Sequence, residues 1–357
     1  MKDLRSMNLE EMEELAKSTG EKAFRGKQLF EWVHGKQATS WDEMKNLPKS
    51  WKEKLANEYR ISGVRIEKKQ ISKKKDTAKY LFSLHDGNVI ESVWMKYHHG
   101  NSVCISSQVG CRMGCTFCAS TLLGLSRNLT AGEMLSQIYE IQRDTGERVS
   151  NVIVMGMGEP LDNYEELLRF IHLLSHEKGL CIGQRNITVS TCGLVDQIRK
   201  LADEKLQITL AISLHAPNDA IRQQTMPVAK RYSMEEIFSA CEYYFKQTGR
   251  RITFEYSMIR GVNDREEHAK ELIRRCKTLM QHGVQCHINL IPLNEVKERD
   301  CHRSQMEDIE RFRFTLEKNH INATIRREMG SDIDAACGQL RKNYIDGAEK
   351  NPEEVKR

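Results

Sequence analysis

Six strand-like runs separated by helical segments occupy the chain from residue 102 onward. They are SVCISSQV (102–109), NVIVMGMG (151–158), NITVSTCG (186–193), QITLAISLHA (207–216), RITFEYSMI (251–259) and QCHINLIPL (285–293). Amphipathic helical patterns fall between them, for example at 131–143, 163–176 and 265–281. Such alternation lays the strands parallel in one sheet, with the helices as crossovers. Six units are too few to close an eight-stranded barrel. The pattern therefore leaves two α/β architectures, a partial (β/α)6 barrel and a doubly wound open sheet. No G-x-G-x-x-G stands at the first strand-to-helix turn, which counts against dinucleotide binding.

The flanks read differently. Residues 1–60 carry short helical patterns, with Phe24, Leu29, Trp32 and Val33 predicted on one stripe of EKAFRGKQLFEWVH. Ser40 opens a second piece with a capping Ser-x-x-Glu, and Pro48 breaks it. These helices fit a small RNA-binding accessory domain and a plain helical cap equally well. Residues 61–98 switch to strand-like runs on either side of Asp86-Gly87, a hairpin signal. The expected organisation is 1–60, a helical accessory domain; 61–98, a β-hairpin extension; 99–329, the α/β unit; and 330–357, a C-terminal segment.

With 39% hydrophobic residues in 357, the chain can bury a core. No apolar run approaches the roughly 20 residues that span a bilayer, and the charged N-terminus lacks an apolar signal core. A cytoplasmic protein is expected. Its eleven cysteines are odd in number and come without an export signal, so no disulfide framework is expected and most are read as reduced core residues. The net charge of +5 is modest, but KKQISKKKDTAK (68–79) concentrates lysines and permits a polyanionic partner.

Chemistry concentrates in GCRMGCTFCAS (110–120), where Cys111, Cys115 and Cys118 are spaced C-x3-C-x2-C. Structural zinc is closed by four ligands. Three thiolates at the C-terminal end of the first strand, where α/β sheets build their sites, can instead hold three corners of a 4Fe–4S cluster and leave one iron open. Cys104, seven residues back, would be a fourth ligand only if the chain folded over on itself.

This spacing, with Phe117 before the last cysteine, resembles the signature of the radical S-adenosylmethionine (SAM) superfamily. The motifs NVIVMGMGEPLDN, ITVSTCG, LAISLHAPND, INLIPLN and GSDIDAACGQL follow in order. Together they are similar to the RlmN/Cfr group, which methylates adenine carbons in RNA, and the resemblance covers essentially the whole chain. GEPL with Pro160, and the AFRGKQLFEWVH…NLPK region, are closer to RlmN. The resemblance implies a partial (β/α)6 radical-SAM barrel and methylation of adenine C2 in 23S rRNA, at the peptidyl-transferase centre, and in the tRNA anticodon loop. The alternative is the Cfr-like C8 methylation of the same rRNA adenine, which gives antibiotic resistance.

The same resemblance implies site roles. Cys111, Cys115 and Cys118 would hold the cluster. Gly158, Glu159, Ser190, Ser213, Leu214, His215 and Asn294 would contact SAM, two molecules of which are used per turnover. Cys337 would accept a methyl group, Cys104 would resolve the resulting protein–RNA adduct, and Glu91 would accept the proton. A flavodoxin- or ferredoxin-type reductant, no membrane partner and a monomer are expected. Cys192, within STCG, departs from some relatives and is given no catalytic role.

Overall fold

A computed structural model describes residues 1–61, 63–330, 332–333 and 338–350 of the chain. Strand β1 (Lys2–Asp3) leads into helices α1 (Leu9–Ser18), α2 (Ala23–Phe30) and α3 (Lys49–Ala56), and β2 (Tyr59–Arg60) returns to pair with β1. A capping box of Asn8 and Glu11 starts α1. The expected stripe on α2 is only partly buried. Leu29 and Val33 are in the core, but Phe24 is 47% exposed. Arg25 lies over the Phe24 ring, 4.8 Å from its centroid, and the inward positions are taken by Phe30 and His34.

Next come β3 (Arg65–Ile71), β4 (Thr77–Ser83), β5 (Val89–Tyr97) and β6 (Gly100–Cys104), all antiparallel neighbours. The hairpin predicted around Asp86-Gly87 is β4–β5. It is continuous with the main sheet, because β5 pairs with β6. A small ribbon follows, made of β7 (Gln108–Gly110) and β8 (Leu125–Asn128). The repeating units are then α4 (Ala131–Thr145), β9 (Val149–Val154), α5 (Tyr164–Ser175), β10 (Ile187–Thr191), α6 (Val195–Asp203), β11 (Thr209–Ser213), α7 (Asp219–Thr225), α8 (Met234–Thr248), β12 (Ile252–Met258), α9 (Glu266–Gln281), β13 (Cys286–Pro292), α10 (Met306–Lys318), β14 (Ala323–Ile325) and α11 (Gln339–Lys350).

The ten-stranded sheet runs β14-β13-β12-β11-β10-β9-β6-β5-β4-β3. Its first seven strands are parallel, so the six predicted strands are present with one short edge strand added. The run 102–109 is not one strand. It leaves the sheet after Cys104, and Gln108 enters the ribbon. The registers place Lys79, Val93, Cys104, Ile153, Thr188, Thr209, Thr253 and His287 across one face. A closed barrel fills such a face with packed apolar layers. Here it is polar and lined by cavities, as an open partial barrel with a working interior requires. The opposite face and the helices form one continuous apolar core.

His34 ties the helical N-terminus to that core. Its ring nitrogens meet Tyr139 Oη at 2.9 Å and the Met7 carbonyl at 3.2 Å. Burial pushes its pKa down from 6.5 to about 3. Below pH 6.5 the unfolded chain therefore binds a proton that the folded chain refuses. Stability is complete above that pH and is lost as pH falls toward 3, by at most about 5 kcal/mol from this residue. Denaturant titrations from about pH 8 to pH 4 should show this loss, and His34→Gln should flatten the acid limb. An unchanged slope in the variant would assign the acid sensitivity elsewhere.

Candidate active site

The first parallel strand ends at Cys104, and the β7–β8 ribbon clamps the base of the cysteine loop. Cys111 N–H donates to the Gly124 carbonyl at 3.1 Å. Gly110 crosses that strand so closely, at φ +84°, that a Cβ would lie 1.8 Å from the Gly124 oxygen. Only glycine fits there. Inside the loop, Thr121 Oγ1 donates to the Cys118 carbonyl at 2.9 Å. Outside bonds fix the loop further: Thr116 N–H to the Thr225 carbonyl at 2.9 Å, and an Arg299 Nη to Thr121 Oγ1 at 2.8 Å.

Cys111, Cys115 and Cys118 line a cavity of about 250 Å³ together with Gly158, Glu159, Ser190, Ser213, His215 and Asn294. Nine of the predicted site residues thus share one mouth at the C-terminal ends of the parallel strands. Leu214 does not line it. Its side chain is buried in the core and its N–H donates to the Glu255 carbonyl. Cys104 lines an adjoining cavity of about 160 Å³ that shares Met155, Ile291, Asn294 and Arg326 with the first. Cys337 lies outside the described residues.

Neighbouring backbone and side chains fix several of the side chains at the mouth. The Glu159 carboxylate accepts from Cys192 N–H at 2.7 Å and Leu161 N–H at 3.0 Å, and burial raises its pKa. Ser190 Oγ and Ser213 Oγ are 3.2 Å apart, joining neighbouring strands. His215 adopts φ +54°, which turns the chain at the end of β11. Its Nδ1 accepts from Ser257 N–H at 3.0 Å, which leaves the proton on Nε2. Burial, reinforced by Arg222, pushes its pKa down to about 3, so the ring is neutral. Phe117 meets this ring edge-on, with centroids 5.1 Å apart.

The donor set fits a cluster held at three corners. Among the described residues no three His, Cys, Asp or Glu side chains gather tightly enough for a single metal ion. The three thiols line one cavity, and three thiolates on one loop can hold three corners of a cluster. Burial raises all three thiol pKa values, that of Cys111 to about 12. The thiolates a cluster demands therefore need positive charge nearby, which Arg222 supplies at Cys115 and Arg299 at Cys118. Arg222 is fully buried. It donates to the Leu214 carbonyl at 3.3 Å and to the Cys192 carbonyl at 2.5 Å. Its Nη1 has no partner among the described residues, and its charge is felt at Cys115.

The sequence reading missed Arg222, since nothing in NDAIRQQT marks a buried cation. It also missed Lys79, Met155, Glu255 and Arg326. Lys79 pairs with Glu91 at 3.0 Å, and both side chains are almost fully buried. The Glu91 carboxylate is further occupied by two N–H donors, from Gly338 at 2.7 Å and Arg341 at 2.6 Å.

Comparison with known proteins agrees with this geometry. The family described as "Radical SAM superfamily" matches residues 105–298, and the "Ribosomal RNA large subunit methyltransferase N-terminal domain" matches residues 2–61. A probable dual-specificity RNA methyltransferase RlmN of Lachnoclostridium phytofermentans is 57% identical over 96% of the chain and 95% of its own length. A like-named protein of Lachnospira eligens is 57% identical over 98% of the chain and 99% of its own length. The crystal structure of a radical SAM methyltransferase from Sphaerobacter thermophilus superposes with a TM-score of 0.89 at 42% identity, covering 95% of this chain and 99% of that one. The cysteine loop, the polar barrel face and the full-length likeness converge: the chain belongs to the RlmN family of RNA methyltransferases, within the radical SAM superfamily, whose members use a 4Fe–4S cluster and SAM.

Proposed function

We propose that this enzyme methylates C2 of adenine in 23S rRNA, at the peptidyl-transferase centre, and in the tRNA anticodon loop. The observation that carries the reading is the pair of adjoining cavities. One is walled by Cys111, Cys115 and Cys118, the other by Cys104, and Asn294 and Arg326 stand between them. The dual-specificity names of the relatives support two RNA substrates.

In this reading Cys111, Cys115 and Cys118 hold the cluster, and Glu159 accepts from the SAM amine. Ser190, Ser213 and the Nε2–H of His215 meet its ribose and carboxylate, and Asn294 meets its adenine. Leu214 contributes through its backbone alone. Bound there, the two cofactors supply the one-electron chemistry that an unreactive aromatic C–H carbon demands. The residues of the chain do the rest. Cys337 carries the methyl carbon to the base as a thioether. Cys104 then attacks the Cys337 sulfur. An S–S bond forms, the S–C bond breaks, and its electron pair stays on the methylene carbon, which takes a proton and becomes the methyl group. A thiol or a flavodoxin- or ferredoxin-type reductant reopens the disulfide. Glu91 would serve as proton acceptor through Oε1, which takes one N–H donor, while Oε2 is held by Gly338 and Lys79.

Lys68, Lys73, Lys74 and Lys75 are exposed on the outermost strand and its turn and are proposed to meet RNA phosphates. Lys69 is drawn to Asp144, Arg25 to Glu21 and Lys27 to Glu13, so these three contribute less. No described helix is long and apolar enough to cross a membrane. The test is the position of the new methyl group. Purified enzyme, reductant and SAM should yield 2-methyladenosine in ribosomal and transfer RNA, read by nuclease digestion and mass spectrometry. Exclusive 8-methyladenosine would overturn the reading in favour of the Cfr-like alternative.

A further inference from the structure

Helix α11 begins at the inner face of the sheet. Leu340 is fully buried against Leu81 and Val89. These two residues lie on the same face as Glu91 and Cys104, by the registers Leu81 with Glu91 and Val93 with Cys104. The first N–H groups of a helix have no partner within it. Here Glu91 Oε2 takes Gly338 N–H and Oε1 takes Arg341 N–H, so a strand carboxylate caps the helix from outside. Lys79 Nζ, 3.0 Å from Oε2, supplies the counter-charge that a carboxylate 3% exposed requires. Gly338 also presses on the cysteine loop. At φ +87°, a Cβ there would lie 2.7 Å from Ser120 N and 2.9 Å from the Ala119 carbonyl carbon. Residue 338 is therefore fixed from two sides, by Glu91 and by the turn that follows Cys118.

Gly338 is the covalent neighbour of Cys337. We infer that Glu91 and Lys79 are a positioning pair: by fixing Gly338 at the start of α11 they govern the methylation of Cys337, its covalent neighbour in the sequence. This rests on the reading of Cys337 as the methyl-carrying thiol. It assigns Glu91 a task before any proton leaves the RNA base. In that reading Cys337 is methylated before it meets the base, so its methylation is read without RNA, whereas proton acceptance from the base is not.

The two tasks are separated by Glu91→Gln, with Lys79→Met/Glu91→Gln as the companion that removes the buried ammonium together with the carboxylate charge, and Glu91→Asp as the conservative rescue. Two quantities are read in full-length, cluster-loaded protein without RNA. The first is amide hydrogen exchange over residues 338–345, and the second is the S-methyl content of the Cys337 peptide after incubation with SAM. Loss of a charge-assisted cap should speed exchange there about tenfold or more while β12 stays protected, and Cys337 methylation should fall about tenfold. Glu91→Asp should recover part of both. Unchanged exchange with normal Cys337 methylation, and loss only of the later RNA adduct, would overturn the clamp in favour of a pure proton acceptor. Faster exchange with normal methylation would also overturn it, as a helix cap without bearing on the reaction. If wild-type Cys337 never carries a methyl group, the reading of that cysteine fails by itself, and the exchange result still shows whether Glu91 caps α11.

Discussion

Replacing Cys111, Cys115 or Cys118 with alanine should abolish the broad visible absorbance of anaerobically reconstituted protein, its bound iron, and its cleavage of SAM. The effect should be all-or-none for each of the three. A cluster with one open iron has only three protein corners, so each thiolate is needed to hold it. Cys104 is no substitute, since it faces the adjoining cavity. Folding should survive, because the loop is held by bonds that do not involve the thiols. Cys111 N–H to Gly124, Thr116 N–H to Thr225, and Arg299 to Thr121 all remain. Circular dichroism should thus be unchanged while iron falls to background. A variant that keeps both iron and SAM cleavage would show that its cysteine is not a ligand. Wild-type protein that binds zinc tightly and works without iron would sink the cluster assignment.

Arg222→Met should give a graded version of the same defect. The thiols keep their places but lose the buried positive charge that opposes the burial penalty on Cys115. Weaker iron retention, rather than none, is the difference to look for.

The strands and the cysteine loop were legible in the sequence because each rests on a local pattern. Short runs between turn residues located six strands, and cysteine spacing located the loop. What was missed lies in residues whose burial is decided by distant elements. Lys79 in TAKYLFS has the look of the solvent side of a hairpin. In the fold, β4 is covered on both faces. Tyr80 and Phe82 join the main core, with Tyr80 Oη bonded to Asp144 of α4, and Leu81 packs against Leu340 of α11. A lysine between two covers is buried and must be paired. The break after Cys104 was invisible for a similar reason. Ser106 N–H goes to the Gln137 side chain, and Ser107 N–H to the Met157 carbonyl, so the ladder ends where remote groups take over. Strand β14 is three residues long, too short for any periodicity to register. Phe24 shows the converse error. Helical spacing placed it on the apolar stripe, yet the helix is rotated to bury Phe30 and His34 instead.

The two remaining cysteines of the proposed chemistry should give opposite signatures. Cys337→Ala should produce no methylated RNA and no protein–RNA adduct, with cluster and fold intact. Cys104→Ala should still take a methyl group at Cys337 and still attack the base, but it should stall there and leave RNA covalently attached. A denaturing gel with labelled RNA would show the shifted band, peptide mass spectrometry would place the link, and the double variant should behave as Cys337→Ala. The pH dependence sharpens the test. Burial raises the Cys104 pKa, with Arg326 opposing it, so near neutrality the thiol form dominates and only its small thiolate fraction reacts. Resolution in the wild type should therefore speed about tenfold per pH unit on the acid side of that pKa, and the adduct should become shorter-lived as pH rises. In Cys104→Ala the adduct should persist with no such dependence. A Cys104→Ala enzyme with full turnover would return that residue to an ordinary place at the end of its strand, and a fully active Cys337→Ala enzyme would end the thioether route altogether.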